Sequence, residues 1–299
     1  MFGGGPSDDP QAQETLAALA QGRIPPTAEQ RLRENAARQG TPTHIFTSNL
    51  SVAELLLTAE CGFEPLGQVM GCCVYHVGWQ NLQTNWGGWY GSQEWVVLTQ
   101  AAYDARSLCF GRLEQEASIL RADGVVGVRL ERTRVDVDDS TIEFKAVGTA
   151  VRKKNGPPLG AGQAPFLSNL NGQDHWALRQ AGMRPAGFVF GNCSWLQLGG
   201  WSQYGAAQSW ANAEFSDYTQ GVYTAREIAL ERLSEEAKRF GAIGVVGMEI
   251  ETTYEPIELP NQGQGYGALL VQFTALGTAI ASDPWRPDKV KPLAIMPVS

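Results

Sequence analysis

Apolar and polar positions along this chain predict the same series of elements twice. Apolar residues recur at steps of three and four over residues 223–240, which predicts a long helix with one buried stripe. Residues 246–251 then alternate between apolar and polar side chains, and residues 126–131 do the same. Because period-two alternation is typical of antiparallel strands with one covered face, we expect sheets covered by helices. The predicted fold class is α+β, in two tandem units.

An internal repeat accounts for this duplication. Residues 113–131 and 233–251 are identical at nine of 19 positions after a shift of 120. The same shift carries the motif Ser-Asn-Leu from 48–50 to 168–170, and Tyr103 and Arg106 to Tyr223 and Arg226. The motif Gly-Thr-Ala recurs at a shift of 129, so we expect nine extra residues in one hairpin of the second copy, around 258–265.

Four segments follow from this repeat. We expect a helical arm over 1–42, a first domain over 43–152, a second over 163–281, and a proline-rich extended tail over 282–299. Within the arm, the sequence predicts a helix that is capped by Thr27, with Gln30 completing a capping box. It is expected to pack on a neighbouring chain or on the core, and a mobile arm is the alternative.

Composition narrows the class of protein. The chain has 299 residues, of which 43% are hydrophobic, and its net charge is -8. An acidic chain is a poor binder of phosphate backbones, so no nucleic-acid partner is expected. The sequence contains no run of apolar residues long enough to cross a membrane, so we expect no membrane insertion. Its five cysteines are irregularly spaced, which favours a reduced, cytoplasmic setting.

The best-repeated segment carries a family resemblance. Residues 122–127 read Ala-Asp-Gly-Val-Val-Gly and residues 242–247 read Ala-Ile-Gly-Val-Val-Gly, each following a long helix and preceding Gly-Thr-Ala. This pattern resembles the YbjQ-like family, also named putative heavy-metal-binding domain. The resemblance implies two dodecin-like β-α-β-β domains, which in that family assemble into rings of five. The family has no established biochemical role.

A metal site is the first candidate for chemistry. Thiolate and imidazole are ligands for zinc or copper, and Cys72 and His76 fall on one face of a predicted strand. The second copy replaces them with Asn192 and Leu196. We therefore predict no bound metal and no cofactor, and keep a metal-binding protein as the alternative.

The tryptophans are the second candidate. Seven of the nine fall in two irregular stretches: Trp79, Trp86, Trp89, Trp95, Trp195, Trp201 and Trp210. Because aromatic side chains are enriched in interface cores, a subunit interface is our first interpretation. A core within the chain and a pocket for a small ligand stay open as alternatives.

No catalytic constellation recurs between the copies, since none of the three histidines does. We therefore expect a non-catalytic protein that assembles with itself. Fusion of two units satisfies one contact within the chain and leaves the outer edge of each unit open, which favours a closed homo-oligomer. A ring of five chains is the first expectation.

Overall fold

The computed structural model describes residues 9–42, 44–77, 91–134, 141–154, 159–160, 162–199, 212–258 and 267–283. The first repeat contains helix α3 (Val52–Glu60), strands β1 (Phe63–His76) and β2 (Gln93–Glu94), helix α4 (Val96–Ile119), and strands β3 (Gly124–Arg134) and β4 (Thr141–Lys153). The second contains β5 (Phe166–Leu167), α5 (Gly172–Gln180), β6 (Met183–Leu198), α6 (Ser216–Arg239), β7 (Gly244–Glu258) and β8 (Gly267–Ser282). Two helices precede them, α1 (Pro10–Ala20) and α2 (Pro26–Arg38).

Each repeat builds the same antiparallel core of three strands. The strand order is β1-β4-β3 in the first repeat and β6-β8-β7 in the second, so both units are α+β as the pattern predicts. Both sheets also share a bulge, at Val126/Arg129 and at Val246/Glu249. The glycine inside each bulge has a positive φ, 61° at Gly127 and 62° at Gly247, a conformation that other residues adopt only with strain.

The long helix of each repeat packs closely on its first strand. A Cβ atom at Gly71 would overlap the backbone oxygen of Cys109 on α4, and one at Gly191 would overlap that of Ala229 on α6. Glycine is therefore required at this position in both copies. The apolar stripe of α6 is buried as the periodicity predicts, with Ala225, Ala229, Leu233 and Ala237 facing the sheet.

The second repeat has the longer hairpin. Arg134 pairs with Ile142 at the end of β3, and the equivalent pair in the second repeat joins Tyr254 to Val271. Strands β7 and β8 then continue pairing as far as Glu258 and Gly267. The expected insertion therefore lengthens this hairpin, and its tip lies outside the described residues.

Helix α2 corrects one detail of the sequence analysis. It begins at Pro26, with Pro25 at the N-cap and no capping bond from a side chain, so the prediction of Thr27 as the cap is wrong. Proline at the first helical position has its φ already set and has no N–H to satisfy, which removes the need for a polar cap. Gln30 instead donates to Glu34 one turn later, at 3.1 Å.

Candidate functional site

The two most widely separated repeat motifs bind each other. In the first repeat the Thr149 hydroxyl donates to Asn49 Oδ1 at 2.6 Å, and Asn49 Nδ2 donates to the Gly127 carbonyl at 2.8 Å. The second repeat makes the same threonine-to-asparagine bond, from Thr278 to Asn169, at 2.7 Å. Ser-Asn-Leu and Gly-Thr-Ala thus recur together because one motif fixes the other to the sheet.

In the second repeat this motif also joins the two repeats. Strand β5 and the residues after it run parallel to β3, the edge strand of the first repeat. Ser168 N donates to Val125 O at 3.0 Å, Val128 N donates to Ser168 O at 2.9 Å, and Gly127 N donates to Leu170 O at 3.0 Å. The second repeat therefore completes the sheet of the first.

The first repeat in turn contacts the outer edge of β6, a strand of the second repeat. Strand β2 pairs with the far end of β6, and Trp95 N donates to Ser194 O at 2.6 Å. The hydroxyl of Thr99 accepts from Ser194 N at 3.0 Å, and that of Tyr103 accepts from Asn192 N at 3.1 Å. Side chains of α4 thereby satisfy backbone groups that an open sheet edge would expose.

Two charge pairs cross the same contact. Arg106 donates to Glu236 Oε1 at 2.8 Å and to the Phe188 carbonyl at 3.0 Å. Arg232 binds both carboxylate oxygens of Glu94, at 2.6 and 2.8 Å. The hydrogen bonds from Arg232 lower the pKa of the Glu94 carboxyl, so the pair is ionised at neutral pH.

The second repeat keeps these contact residues, but among the described residues they make no hydrogen bond to the other repeat. The counterparts of Glu94, Tyr103 and Arg106 are Glu214, Tyr223 and Arg226. All three are exposed, and Tyr223 is 55% exposed. The local geometry is also kept, because Thr219 donates to Glu214 at 2.8 Å as Thr99 does to Glu94. The second repeat thus presents a copy of the contact surface to solvent.

Strand β7 extends this surface. It is the edge strand equivalent to β3, and no described strand covers it. Met248 is 38% exposed where its counterpart Val128 is 1% exposed, and Ile243 and Ile250 are 66% and 56% exposed. We call Glu214, Tyr223, Arg226 and residues 243–250 the open surface of the second repeat.

The first repeat exposes the complementary side. Phe190 and Ser194 on β6 are 1% and 2% exposed beneath the first repeat, whereas their counterparts Met70 and Val74 on β1 are 47% and 60% exposed. Strand β1 is also the edge of its sheet among the described strands. We call Met70, Val74, Arg112 and Glu116 the β1 surface. The chain therefore presents two unmatched halves of a contact that it makes once internally.

The predicted metal ligands lie on the β1 strand but far apart. Cys72 is half-buried and donates to Glu143 Oε1 at 3.5 Å, while His76 is exposed at the end of the strand. The two residues are four positions apart on the strand, which places their Cα atoms about 13 Å apart. That distance is too long for both to bind one zinc ion at normal geometry. No three described His, Cys, Asp or Glu residues lie close enough together to hold a metal. These residues therefore do not fit the heavy-metal site that the family name implies.

We expect the purified, untagged protein to carry no stoichiometric zinc or copper. Elemental analysis after exhaustive dialysis measures this directly, and Cys72→Ser should leave the metal content unchanged because Cys72 is not part of a group of three or more described metal-ligating residues. One metal per chain that disappears in Cys72→Ser would contradict the prediction.

The remaining cysteines are part of the core. Burial raises the pKa of the Cys61 thiol to about 11 and the pKa values of Cys109 and Cys193 to about 12. Cys73 is 3% exposed, and burial raises its pKa as well. Such thiols stay protonated at neutral pH in the absence of a metal, so they are weak nucleophiles.

Two of the seven candidate tryptophans lie in the described part of the chain. Trp95 leads into α4 and packs beside Leu196 of the second repeat. Trp195 packs against the core of its own repeat, and its indole nitrogen donates to Gln197 at 3.0 Å. The others lie outside the described residues: Trp79, Trp86, Trp89, Trp201 and Trp210.

A cavity of about 1450 Å³ separates parts of the two repeats. Its described lining contains Arg106, Phe110, His175 and Arg179, and acidic and basic side chains occur in equal numbers. Burial lowers the pKa of His175 to about 4, so this imidazole is neutral at physiological pH. The lining thus favours neither an anionic nor a cationic ligand, and none of the described tryptophans is part of it.

Comparisons with known proteins identify both repeats. A family model described as "Putative heavy-metal-binding", YbjQ, matches residues 66–154 and 186–282. The chain is 41% identical over 240 residues to the Encapsulin nanocompartment protein Rv1762c of Mycobacterium tuberculosis, an alignment that covers 79% of this chain and 85% of the relative. No solved structure matches the chain significantly. Among the described helices, none is long and apolar enough to span a membrane.

Proposed function

This chain belongs to the YbjQ-like family in both of its repeats, and we propose that it is a non-catalytic protein that assembles with copies of itself. The observation that carries this proposal is the unmatched contact. The open surface of the second repeat and the β1 surface of the first are the two halves of the contact that α4 and β6 make within the chain. Among the described residues, no strand of the same chain pairs with β7 or with the outer edge of β1, so another chain is the partner that we propose for each half.

The internal contact supplies the geometry of this association. Residues 46–50 of one chain would pair with β7 of another, as 166–170 pair with β3. Phe46, the counterpart of Phe166, is 40% exposed, and Ile45 is 84% exposed. Arg226 of one chain would reach Glu116 of the next, as Arg106 reaches Glu236. Each contact buries an exposed apolar edge and pairs an arginine with a carboxylate.

A head-to-tail contact repeats until it closes or forms a filament. We propose a closed ring and take five chains as its first expected size. The relative named as an encapsulin nanocompartment protein supports a further step, in which such assemblies take part in a protein nanocompartment in the cytoplasm. The boundaries 43–152 and 163–281 remain our proposal for the domains, and the tryptophans outside the described residues remain interface candidates.

We expect the full chain to form oligomers at micromolar concentration and Arg226→Glu combined with Tyr223→Asp to reduce them to monomers. Both substitutions fall on exposed positions, so they remove contacts between chains without disturbing a core. Native mass spectrometry and electron microscopy measure the assembly. Lys238→Glu is the control for charge, because it makes the same change of charge on α6 as Arg226→Glu does, at the counterpart of Ser118, which is exposed in the first repeat.

The size of the particles separates the parts of this proposal. Large closed particles support a nanocompartment, whereas small rings support self-assembly alone. A wild-type chain that stays monomeric at micromolar concentration would overturn the proposed function. So would an oligomer that the two open-surface substitutions leave intact.

A further inference from the structure

The N-terminal arm, residues 9–42, covers part of the β1 surface. Ile24 and Leu32 are 5% and 3% exposed and belong to the core cluster of the first repeat. Polar bonds fix the arm to α4, where Gln115 donates to the Gly22 carbonyl at 3.0 Å and accepts from Ile24 N at 3.1 Å. The arm is therefore docked on the side of the first repeat that would receive another chain.

Arg112 is the counterpart of Arg232, the arginine that binds Glu94 across the contact between repeats. The arm binds Arg112 through the nitrogen, Nη2, that Arg232 also uses for Glu94. Arg232 donates through Nη1 to the carbonyl of its own strand and to Glu94 Oε1 of the other repeat, and through Nη2 to Glu94 Oε2. Its counterpart Arg112 also donates through Nη1 to its own strand, and its Nη2 donates to the carbonyl of Leu19 in the arm, at 3.2 Å. A backbone oxygen of the arm thus stands where a docking carboxylate would stand.

Glu116, the counterpart of Glu236, is likewise contacted by the arm where Glu236 is contacted by the other repeat. Glu236 accepts from its own strand through Oε2 and from Arg106 of the other repeat through Oε1. Glu116 accepts from Met70 N through Oε2 at 2.8 Å, and Arg31 of the arm lies 4.0 Å from its Oε1. Both anchors that the open surface of another chain would need are therefore occupied by the arm.

Resting on the proposed function, we propose that the arm is a displaceable cap on the β1 surface, and that the surface beneath it is the docking site for the second repeat of another copy. The arm and the incoming chain compete for Arg112 and Glu116. Assembly then requires the arm to leave these two anchors, so the arm sets the concentration at which chains associate.

The arm is the weaker of the two occupants at Glu116. Arg31 is 74% exposed and 4.0 Å from Glu116, whereas the Arg106–Glu236 pair spans 2.8 Å with side chains 14% and 21% exposed. Burial raises the pKa of Glu116, which shows that its charge is poorly compensated in this state. A close arginine from another chain would compensate it better.

The arm also leaves apolar positions unused. Met70 and Val74 stay 47% and 60% exposed beside it, although their counterparts on β6 are buried by the other repeat. A docking chain would cover them and gain the hydrophobic stabilisation that the arm does not supply. Displacement also exposes Ile24 and Leu32, so it occurs only where another copy is present at a concentration sufficient to offset that cost.

Two arm variants test the competition in the full chain. Arg31→Glu places a carboxylate beside Glu116 at an exposed position, and Leu32→Asp removes the main apolar anchor of α2. We expect each to lower the concentration of half-assembly about tenfold, measured by mass photometry. Arg33→Glu is the matched control, since Arg33 is equally exposed and pairs with Glu29 inside the same helix.

A peptide and a protease provide independent measurements. A synthetic peptide of residues 9–42 should lower the assembled fraction of Arg31→Glu, because it refills the docking site. Trypsin should cleave the arm at Arg31 and Arg33 faster in the assembled wild-type protein than in the monomer, because assembly displaces the arm from α4.

The outcomes separate this proposal from the proposed function. Earlier assembly of both arm variants, together with suppression by the peptide, supports the cap. Unchanged or weakened assembly in Arg31→Glu and Leu32→Asp overturns it, and the proposed function still stands if Arg226→Glu combined with Tyr223→Asp abolishes the oligomer. If the wild-type protein is monomeric at micromolar concentration, the proposed function fails and the cap fails with it.

Discussion

Gly191→Ala is expected to destabilise the second repeat by about 3 kcal/mol, at the upper end of the usual penalty for overpacking. The new methyl group would overlap the backbone oxygen of Ala229 and crowd Leu233 on α6. Neither the strand nor the helix can retreat, because both are fixed by the stripe that they bury together. Urea unfolding followed by circular dichroism measures the loss as a lower transition midpoint.

Gly111→Ala is the matched control for this substitution. Gly111 lies within α4, and a methyl group there would meet no atom within 4 Å. Since alanine favours a helix over glycine by about 1 kcal/mol, this variant should be slightly more stable than the parent protein. Equal midpoints for the two variants would contradict the close packing of helix on strand.

Arg106→Ala is expected to have the second large effect, weakening the contact between repeats by about 3 kcal/mol. Its guanidinium joins Glu236 and the Phe188 carbonyl, and it lies over the ring of Phe110 at 4.7 Å. Removal leaves a largely buried carboxylate without its charge partner. A double-mutant cycle with Glu236→Ala measures the coupling between the two residues.

The surface pair Lys145–Glu131 is the control for this cycle. Its nitrogen and oxygen lie 2.6 Å apart, but the side chains are 39% and 60% exposed. Solvent screens exposed ion pairs, so the same cycle there should give a much smaller coupling. Similar coupling energies at both sites would show that Arg106 does not hold the repeats together. They would also remove the template for the contact between chains.

Several parts of the fold could be predicted from local sequence alone. The stripe of α6 reports which side chains of the helix share a face, and that depends only on nearby residues. The alternation of β7 predicted a covered apolar face, whereas Met248 and Ile250 are 38% and 56% exposed. The shift of 120 predicted two equal units, and both repeats have the same strand order. The change of shift to 129 placed the insertion in the hairpin that the structure lengthens.

Other features depended on contacts that no local pattern reports. The period-two alternation did not predict the bulge at Gly127 and Gly247, although both glycines recur at the shift of 120. The start of α2 was misplaced because Thr27 and Gln30 fit a capping box, while Pro25 and Pro26 set the backbone without one. In both cases the backbone conformation of glycine or proline determined the local structure, and the side-chain pattern did not report it.

The candidate site shows the same division. Sequence reasoning singled out cysteine, histidine and tryptophan for their chemistry. The docking residues Glu94, Arg232 and Glu236 have no such distinctive chemistry. In the sequence they look like ordinary charged residues of a helix or loop. The available signal was that such polar residues, Tyr103 and Arg106 among them, recur at the shift of 120 outside any apolar stripe. A polar side chain that survives duplication at a position with no role in the core indicates a shared contact.

The sequence by itself determined that this chain contains one α+β unit twice, because duplication and periodicity are written in the order of residues. Only the tertiary structure decided that Arg106 and Tyr103 work between the repeats while Arg226 and Tyr223 face solvent. Identical residues have opposite environments because the first repeat has a neighbour on that side, whereas the second has none among the residues that the structure describes. Which neighbour a surface meets depends on sheet edges that come together across more than 80 residues of sequence, and no local pattern encodes that distance.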